Sequence, residues 1–114
     1  MIHILDEIIL EPEHIPSVLS GLERGYLPKA GERGLTLLQR WVSPPVAVPG
    51  ELNRLWLLWQ VPDVWGYYGM RSSAGPEVME FWSTVDSLCQ QRHRHVLGNA
   101  EQPIHGPEAA DHVV

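Results

Sequence analysis

Isoleucine and leucine dominate the first ten residues, and the two-residue repeat of a strand divides their side chains between two faces. Even-numbered positions from Ile2 to Leu10 share one face, and odd-numbered positions from His3 to Ile9 share the other. Both faces are largely apolar, and Asp6 and His3 are the polar interruptions. The pattern predicts a strand that is buried on both sides.

A helix-like spacing follows this strand. Pro12 suits the first turn of a helix, and Glu13 places a carboxylate where the helix dipole favours one. Apolar side chains then recur on one side at Ile15, Val18, Leu19, Leu22 and Tyr26. The spacing predicts an amphipathic helix that weakens at Gly25 and ends near Pro28 or Gly31.

Two further strands are predicted in the middle of the chain. Leu35 to Val42 forms the first, and the prolines between Pro44 and Gly50 mark a loop after it. Asn53 to Val61 forms the second. Its alternation places Leu55, Leu57 and Trp59 on one face and Trp56, Leu58 and Gln60 on the other.

The helical signals of the second half begin at Asp63, which is a reasonable N-cap for a short turn through Tyr68. Pro76 then begins a longer helix with apolar residues on one side. Continuing that stripe brings Arg92 and His95 onto the side of Val85 and Leu88. The alternative is that the helix has frayed there and that residues 92–95 form a solvated turn.

The resulting order, β-α-β-β-α, predicts an α+β ferredoxin-like fold with an antiparallel sheet and helices on one face. A fourth strand is expected either at Arg94–Leu97 or at Pro103–His105. The other face of the sheet must also be covered, and the sheet of a second copy is the usual cover. We therefore predict a homodimer with the architecture of a dimeric α/β barrel. We assign residues 1–97 to this domain and residues 98–114 to a C-terminal extension.

Composition excludes several classes of function. A net charge of −6 disfavours nucleic acid as a partner, and no apolar run approaches the length of a membrane span. The single cysteine, Cys89, excludes an intrachain disulfide and a cysteine-based zinc site. The N-terminal residues lack the features of a signal peptide, so we expect a cytoplasmic protein.

Several segments carry a resemblance to a known family. These are the opening strand running into Leu10-Glu11-Pro12, Tyr26-Leu27-Pro28 late in the first helix, residues 34–41, and residues 53–59 with the pair Leu58-Trp59. The chain resembles the NIPSNAP-like branch of the dimeric α/β-barrel superfamily over residues 2–97. The resemblance implies a dimer with a hydrophobic pocket between sheet and helices. It also implies enzymes such as cofactor-independent monooxygenases, dehydratases, isomerases, lyases and haem-processing proteins.

Asp6 is the first candidate for chemistry, because it lies between Ile4 and Ile8 in an apolar setting that suits general acid–base work. The alternatives are that Asp6 lies at a sheet edge or that it pairs with an arginine such as Arg40 or Arg92. Arg92 and His95 complete the predicted catalytic group. Metal binding is disfavoured, since His93 and His95 have no patterned carboxylate or thiol beside them.

Aromatic residues provide the candidate binding surface. The predicted substrate-binding residues are Trp56, Trp59, Trp65, Tyr67, Tyr68, Trp82 and Arg40. Part of this set belongs to the core, and the rest predicts a pocket for a small hydrophobic, aromatic or polycyclic molecule. The chain has no glycine-rich phosphate loop and no dinucleotide fingerprint, so no cofactor and no metal are expected.

We therefore predict a cofactor-independent lyase, isomerase or dehydratase that acts on such a metabolite. One alternative is a cofactor-independent monooxygenase of the same superfamily. The other alternative is a module that binds a hydrophobic ligand or a protein without catalysis.

Overall fold

A computed structural model describes residues 1–102 of the chain. Its sheet has four antiparallel strands in the order β2-β3-β1-β4. Their bounds are β1, Ile2–Leu10; β2, Thr36–Ser43; β3, Asn53–Val61; and β4, Cys89–Leu97. The first strand lies in the centre of the sheet, as expected for the most apolar segment. The α+β ferredoxin-like fold is confirmed.

The first helical region is a chain of short segments rather than one regular helix. Its parts are a 3₁₀ turn at Pro12–His14, α1 at Ile15–Gly21, a π-helical turn at Leu22–Tyr26, α2 at Leu27–Ala30 and a 3₁₀ turn at Gly31–Arg33. Gly34 ends the region with a φ of 74°, a left-handed conformation that glycine adopts without steric cost. The second half contains α3, Val64–Ser72, and α4, Pro76–Leu88. Asp63 caps α3 as expected, accepting a hydrogen bond from the Gly66 backbone N–H at 2.7 Å.

The helices cover one face of the sheet, and the hydrophobic core lies between the helices and the sheet. Even-numbered residues of β1 and odd-numbered residues of β3 point into this core, so the predicted division of faces is confirmed. The opposite face, which we call the open face, carries half-buried side chains such as Leu5, Ile9, Trp56 and Leu58. Trp41 of β2 lies opposite Trp56 and is 48% exposed.

The prediction that Arg92 and His95 extend a helix is wrong. Helix α4 ends at Leu88, and Cys89 begins β4 without an intervening loop. Antiparallel pairing with β1 gives these polar residues backbone hydrogen bonds on one side, and this pairing outweighs the apolar stripe that favoured a longer helix. The strand contains the predicted Arg94–Leu97, whereas Pro103–His105 lies outside the described residues.

None of the helices in residues 1–102 is long and apolar enough to cross a membrane.

Candidate functional site

A cleft of about 390 Å³ opens between the helices and β4. Its walls come from four parts of the chain, which are the first helical region, α3, the start and middle of α4, and the helix-facing side of β4. Ten side chains and Ala74 line it: Tyr26, Arg33, Tyr67, Met70, Arg71, Val78, Trp82, Arg92, Arg94 and Val96. The volume lies within the range of small-molecule sites.

Asp6 lies beneath the cleft and forms a bidentate ion pair. Arg94 donates from Nε to Oδ1 at 2.7 Å and from Nη2 to Oδ2 at 2.9 Å. Trp59 Nε1 also donates to Oδ2 at 2.9 Å. Asp6 is only 2% exposed, so this buried carboxylate holds Arg94 and Trp59 in place.

The alternative interpretation of Asp6, pairing with an arginine, is the arrangement in the structure, although the arginine is Arg94 rather than Arg40 or Arg92. The two residues face each other across β1 and β4. Burial alone disfavours the charged guanidinium, but the hydrogen bonds and the negative charge of Asp6 outweigh it and raise the pKa of Arg94.

Arg92 has a carboxylate partner of its own. It donates from Nε to Asp86 Oδ1 at 2.5 Å, and its guanidinium lies 4.7 Å from the centre of the Trp82 ring. The guanidinium of Arg94 lies 5.3 Å from the same ring. Trp82 therefore makes cation–π contacts with two guanidinium groups on the β4 side of the cleft.

Aromatic rings form the inner wall of the cleft. Tyr26 is 1% exposed and packs against Trp59, Phe81 and Trp82, with ring centres 5.3, 4.9 and 6.2 Å away. Tyr67 also lines the cleft and contacts Tyr68 at 5.4 Å between ring centres. Such a wall suits a flat, apolar ligand.

Arg33 differs from the other arginines of the cleft. It is 9% exposed, and its Nε, Nη1 and Nη2 atoms have no hydrogen-bond acceptor among the described residues. Its guanidinium lies 4.9 Å from the centre of the Tyr26 ring. The preceding turn is fixed by backbone hydrogen bonds from Gly34 to Gly31 and from Leu35 to Ala30.

The cleft carries a net positive charge although the chain is acidic. Four of its eight Lys and Arg residues line the cleft, which within residues 1–102 has no Asp or Glu in its lining. Asp6 and Asp86 neutralise the two arginines of β4. The arrangement can attract and hold an anion beside aromatic rings.

Some predicted site residues meet in the cleft, namely Tyr67, Trp82 and Arg92. Tyr68 lines a hollow of about 210 Å³ that shares Tyr67, Arg71 and Val96 with the cleft. Trp59 is fully buried in the core and contacts the site through its hydrogen bond to Asp6 and its packing against Tyr26.

The remaining predicted site residues lie elsewhere. His95 faces Leu5 on the open face, opposite to Arg92, because a strand sends alternate side chains to opposite sides. Trp56 is also on the open face, where it donates to Ser43 Oγ at 2.9 Å. Trp65 is 43% exposed on α3 and is not part of the cleft lining. Arg40 pairs with Glu23 Oε1 at 2.6 Å near the β2 edge of the sheet.

The sequence interpretation missed four important residues, Tyr26, Arg33, Arg71 and Arg94. Tyr26 was assigned to a helical stripe, and its position there is correct, but the stripe carries no sign of a cleft. If all of residues 89–97 had been predicted as a strand beside β1, the alternation of side chains along both strands would have placed Arg94 on the same face as Asp6. Arg33 has one local signal, the glycine that follows it.

No group of three or more His, Cys, Asp or Glu side chains in residues 1–102 is placed to hold a metal ion.

Comparison with solved structures decides the fold. A NIPSNAP domain protein from Burkholderia xenovorans is 17% identical, with a TM-score of 0.67 over 91% of this chain and 100% of that one. A NIPSNAP family protein of unknown function from Agrobacterium tumefaciens is 15% identical, with a TM-score of 0.64 over 85% and 86% of the two chains. The chain has the NIPSNAP-like fold.

The same fold occurs in a protein from Nitrosomonas europaea described as a candidate antibiotic biosynthesis monooxygenase. It is 12% identical, with a TM-score of 0.63 over 88% of this chain and 99% of that chain. No family model matches the sequence, and no curated protein matches it. At these identities the likeness concerns the fold alone.

Proposed function

We propose that the protein is a small-molecule enzyme that binds a hydrophobic, aromatic compound in the cationic cleft and acts on it without a cofactor. The observation that supports this most is the combination of Tyr26, Tyr67 and Trp82 with four arginines in one cleft. Aromatic walls favour a flat apolar ligand, and fixed guanidinium groups favour a negatively charged form of it.

The chemistry that suits such a site is stabilisation of an anion. Arginines that are held in position before the substrate arrives lower the energy of an enolate or phenolate that forms beside them. The Asp6 carboxylate accepts three hydrogen bonds, so we assign it the role of fixing Arg94 rather than of moving a proton. The acid–base interpretation of Asp6, with lyase, isomerase or dehydratase chemistry, remains the competing proposal.

A monooxygenase is the second candidate, favoured by the description of structural neighbours such as the Nitrosomonas protein. A stabilised substrate carbanion or phenolate is the species that such an enzyme would expose to oxygen. The cationic cleft is compatible with this chemistry as well. The two candidates differ in whether oxygen is consumed.

A first experiment asks whether the cleft binds an aromatic molecule. We expect the neutral probe 2-naphthamide to bind in titration calorimetry and Val78→Trp, which fills the cleft, to abolish binding. Met79→Trp is the matched control, because Met79 is the next residue of α4 and is 75% exposed. Unchanged binding by Val78→Trp would contradict the proposal.

A second experiment asks for turnover. A panel of polycyclic phenols and aromatic acids is incubated with the protein without added cofactor and analysed by mass spectrometry. Oxygen uptake identifies a monooxygenase, and loss of water or isomerisation identifies the acid–base enzyme. Compounds that bind in the cleft and remain unchanged identify a binding module.

We also propose that the protein is a homodimer formed through the open face. Leu5, Ile9, Trp56 and Leu58 are half-buried there, and Trp41 is nearly half exposed, which leaves an apolar surface for a second copy. Light scattering should report twice the monomer mass of 12.9 kDa. Leu58→Glu should shift the protein toward that monomer mass, and a wild-type monomer would contradict the proposal.

A further inference from the structure

Arg33 is a buried cation that the described residues leave without a hydrogen-bond partner. All three of its guanidinium nitrogens lack an acceptor, and nine-tenths of the residue is removed from solvent. Burying a charge without a partner is strongly unfavourable, and proteins retain such a group where it has another use. The three nitrogens belong to one planar guanidinium group, and Arg33 is one of the residues that line the cleft.

The surroundings of Arg33 hold it in position without satisfying it. The Tyr26 ring, 4.9 Å from the guanidinium, attracts the cation but accepts no hydrogen bond in its plane. The left-handed Gly34 and the two backbone bonds of the turn fix the residue at the end of its helical region. A pre-positioned donor of this kind binds an acceptor with little loss of side-chain entropy.

The carboxylates nearest to the cleft are already engaged. Asp6 accepts from Arg94 and Trp59, and Asp86 accepts from Arg92. Within residues 1–102 Arg33 has no acceptor, and a molecule bound in the cleft that it lines can supply one.

We propose that Arg33 recognises the carboxylate of an aromatic acid, so that the substrate of the cleft is an aromatic carboxylate rather than a neutral aromatic compound. The inference rests on the proposed function and specifies its substrate class. The planar guanidinium matches a carboxylate through two parallel N–H···O bonds, and the rings of Tyr67 and Trp82 face the apolar part of the ligand.

The test uses two probes of the same shape, 2-naphthoate and the neutral 2-naphthamide, each titrated into the full-length protein by calorimetry. The wild type should bind 2-naphthoate at least about tenfold tighter, since a charge-assisted bidentate pair contributes that much or more. Arg33→Met should remove this preference and leave the affinity for 2-naphthamide within about twofold. Arg24→Met, an exposed arginine outside the cleft, should keep the preference.

The outcomes separate the two proposals. If the wild type binds 2-naphthamide and 2-naphthoate equally, the aromatic cleft stands and the carboxylate inference is overturned. A preference that survives in Arg33→Met overturns it too, because the anion then lies on other arginines. Binding of neither probe overturns the proposed function, and the inference falls with it.

A second variant covers the case in which Arg33→Met fails to fold. Arg33→Lys keeps the charge and loses the fork. The affinity for 2-naphthoate should fall, while that for 2-naphthamide should be unchanged. Equal changes for both probes would contradict carboxylate recognition by Arg33.

Discussion

Two of the four parts of the chain that line the cleft carry arginines in opposite electrostatic situations. On the β4 wall, Arg94 and Arg92 are each held by a carboxylate, Asp6 and Asp86. On the wall formed by the end of the first helical region, Arg33 is more deeply buried than either and has no acceptor in residues 1–102. From this difference we infer that the β4 arginines maintain the shape of the site, whereas Arg33 binds the ligand.

Among the variants of the cleft residues, Asp6→Asn should cause the largest change in the free energy of unfolding. The change leaves Arg94 facing a neutral amide, and breaking a buried ion pair costs about 3–5 kcal/mol of the free energy of unfolding. Because a quarter of the Arg94 side chain is exposed, we expect the lower end of that range. Urea denaturation measures the loss.

Glu23→Gln is the control for Asp6→Asn, because it breaks the exposed Arg40–Glu23 pair in the same chemical way. We expect it to change stability by less than about 1 kcal/mol. Equal losses of stability in the two variants would show that the buried Asp6–Arg94 pair stabilises the protein no more than the exposed Arg40–Glu23 pair.

Combining Asp6→Asn with Arg94→Met removes the unpaired cation that the single change leaves behind. The double variant should be more stable than the sum of the single losses predicts, with a coupling of about 1–3 kcal/mol. Additive losses would mean that the two residues act independently, despite their 2.7 and 2.9 Å hydrogen bonds.

Arg33→Met should shift stability in the other direction. Removing a buried cation that lacks an acceptor relieves its desolvation, and the lost contact with Tyr26 offsets part of the gain. We expect a net gain of about 1 kcal/mol, which corresponds to a rise of roughly 4 °C in melting temperature. Destabilisation in the absence of ligand would indicate that Arg33 has a structural role.

Asp86→Asn should produce the smallest effect. The hydrogen bond from Arg92 lowers the pKa of Asp86, so the stabilisation is present above the unfolded pKa of about 3.9 and is lost as the pH falls below it. The pair is largely exposed, so Asp86→Asn should alter the melting temperature only slightly at pH 7. The melting temperatures of the wild type and the variant should approach each other as the pH falls through the lowered pKa of Asp86. A difference that widens as the pH falls would contradict the predicted direction of the pKa shift.

Much of the fold could be predicted from local patterns. The period-two alternation of β1 and β3 gave the correct faces, because one face of the sheet is packed against helices and the pattern records that burial. The boundary between α4 and β4 could not be predicted from its own residues. The polar residues after Leu88 favour neither a helix nor a strand, and they form a strand because they pair with β1, which is distant in the sequence.

The site was predicted less well than the fold, because a cleft depends on which elements meet. Trp82 and Tyr67 were selected as aromatic residues, and the same criterion also selected Trp56, which lies on the open face. Arg92 and His95 were selected as a continuation of the α4 stripe, and the alternation of β4 brings only Arg92 to the cleft. The importance of Arg33 arises from burial without a partner. That property exists only once the surrounding chain is folded.

A crystal structure of the protein with 2-naphthoate tests the contrast between the two walls most directly. We expect the carboxylate oxygens at about 2.7–2.9 Å from the Arg33 guanidinium nitrogens, the naphthalene ring against Tyr67 or Trp82, and the Asp6–Arg94 pair unchanged. A carboxylate bound to Arg71, Arg92 or Arg94, with Arg33 still lacking an acceptor, would contradict it.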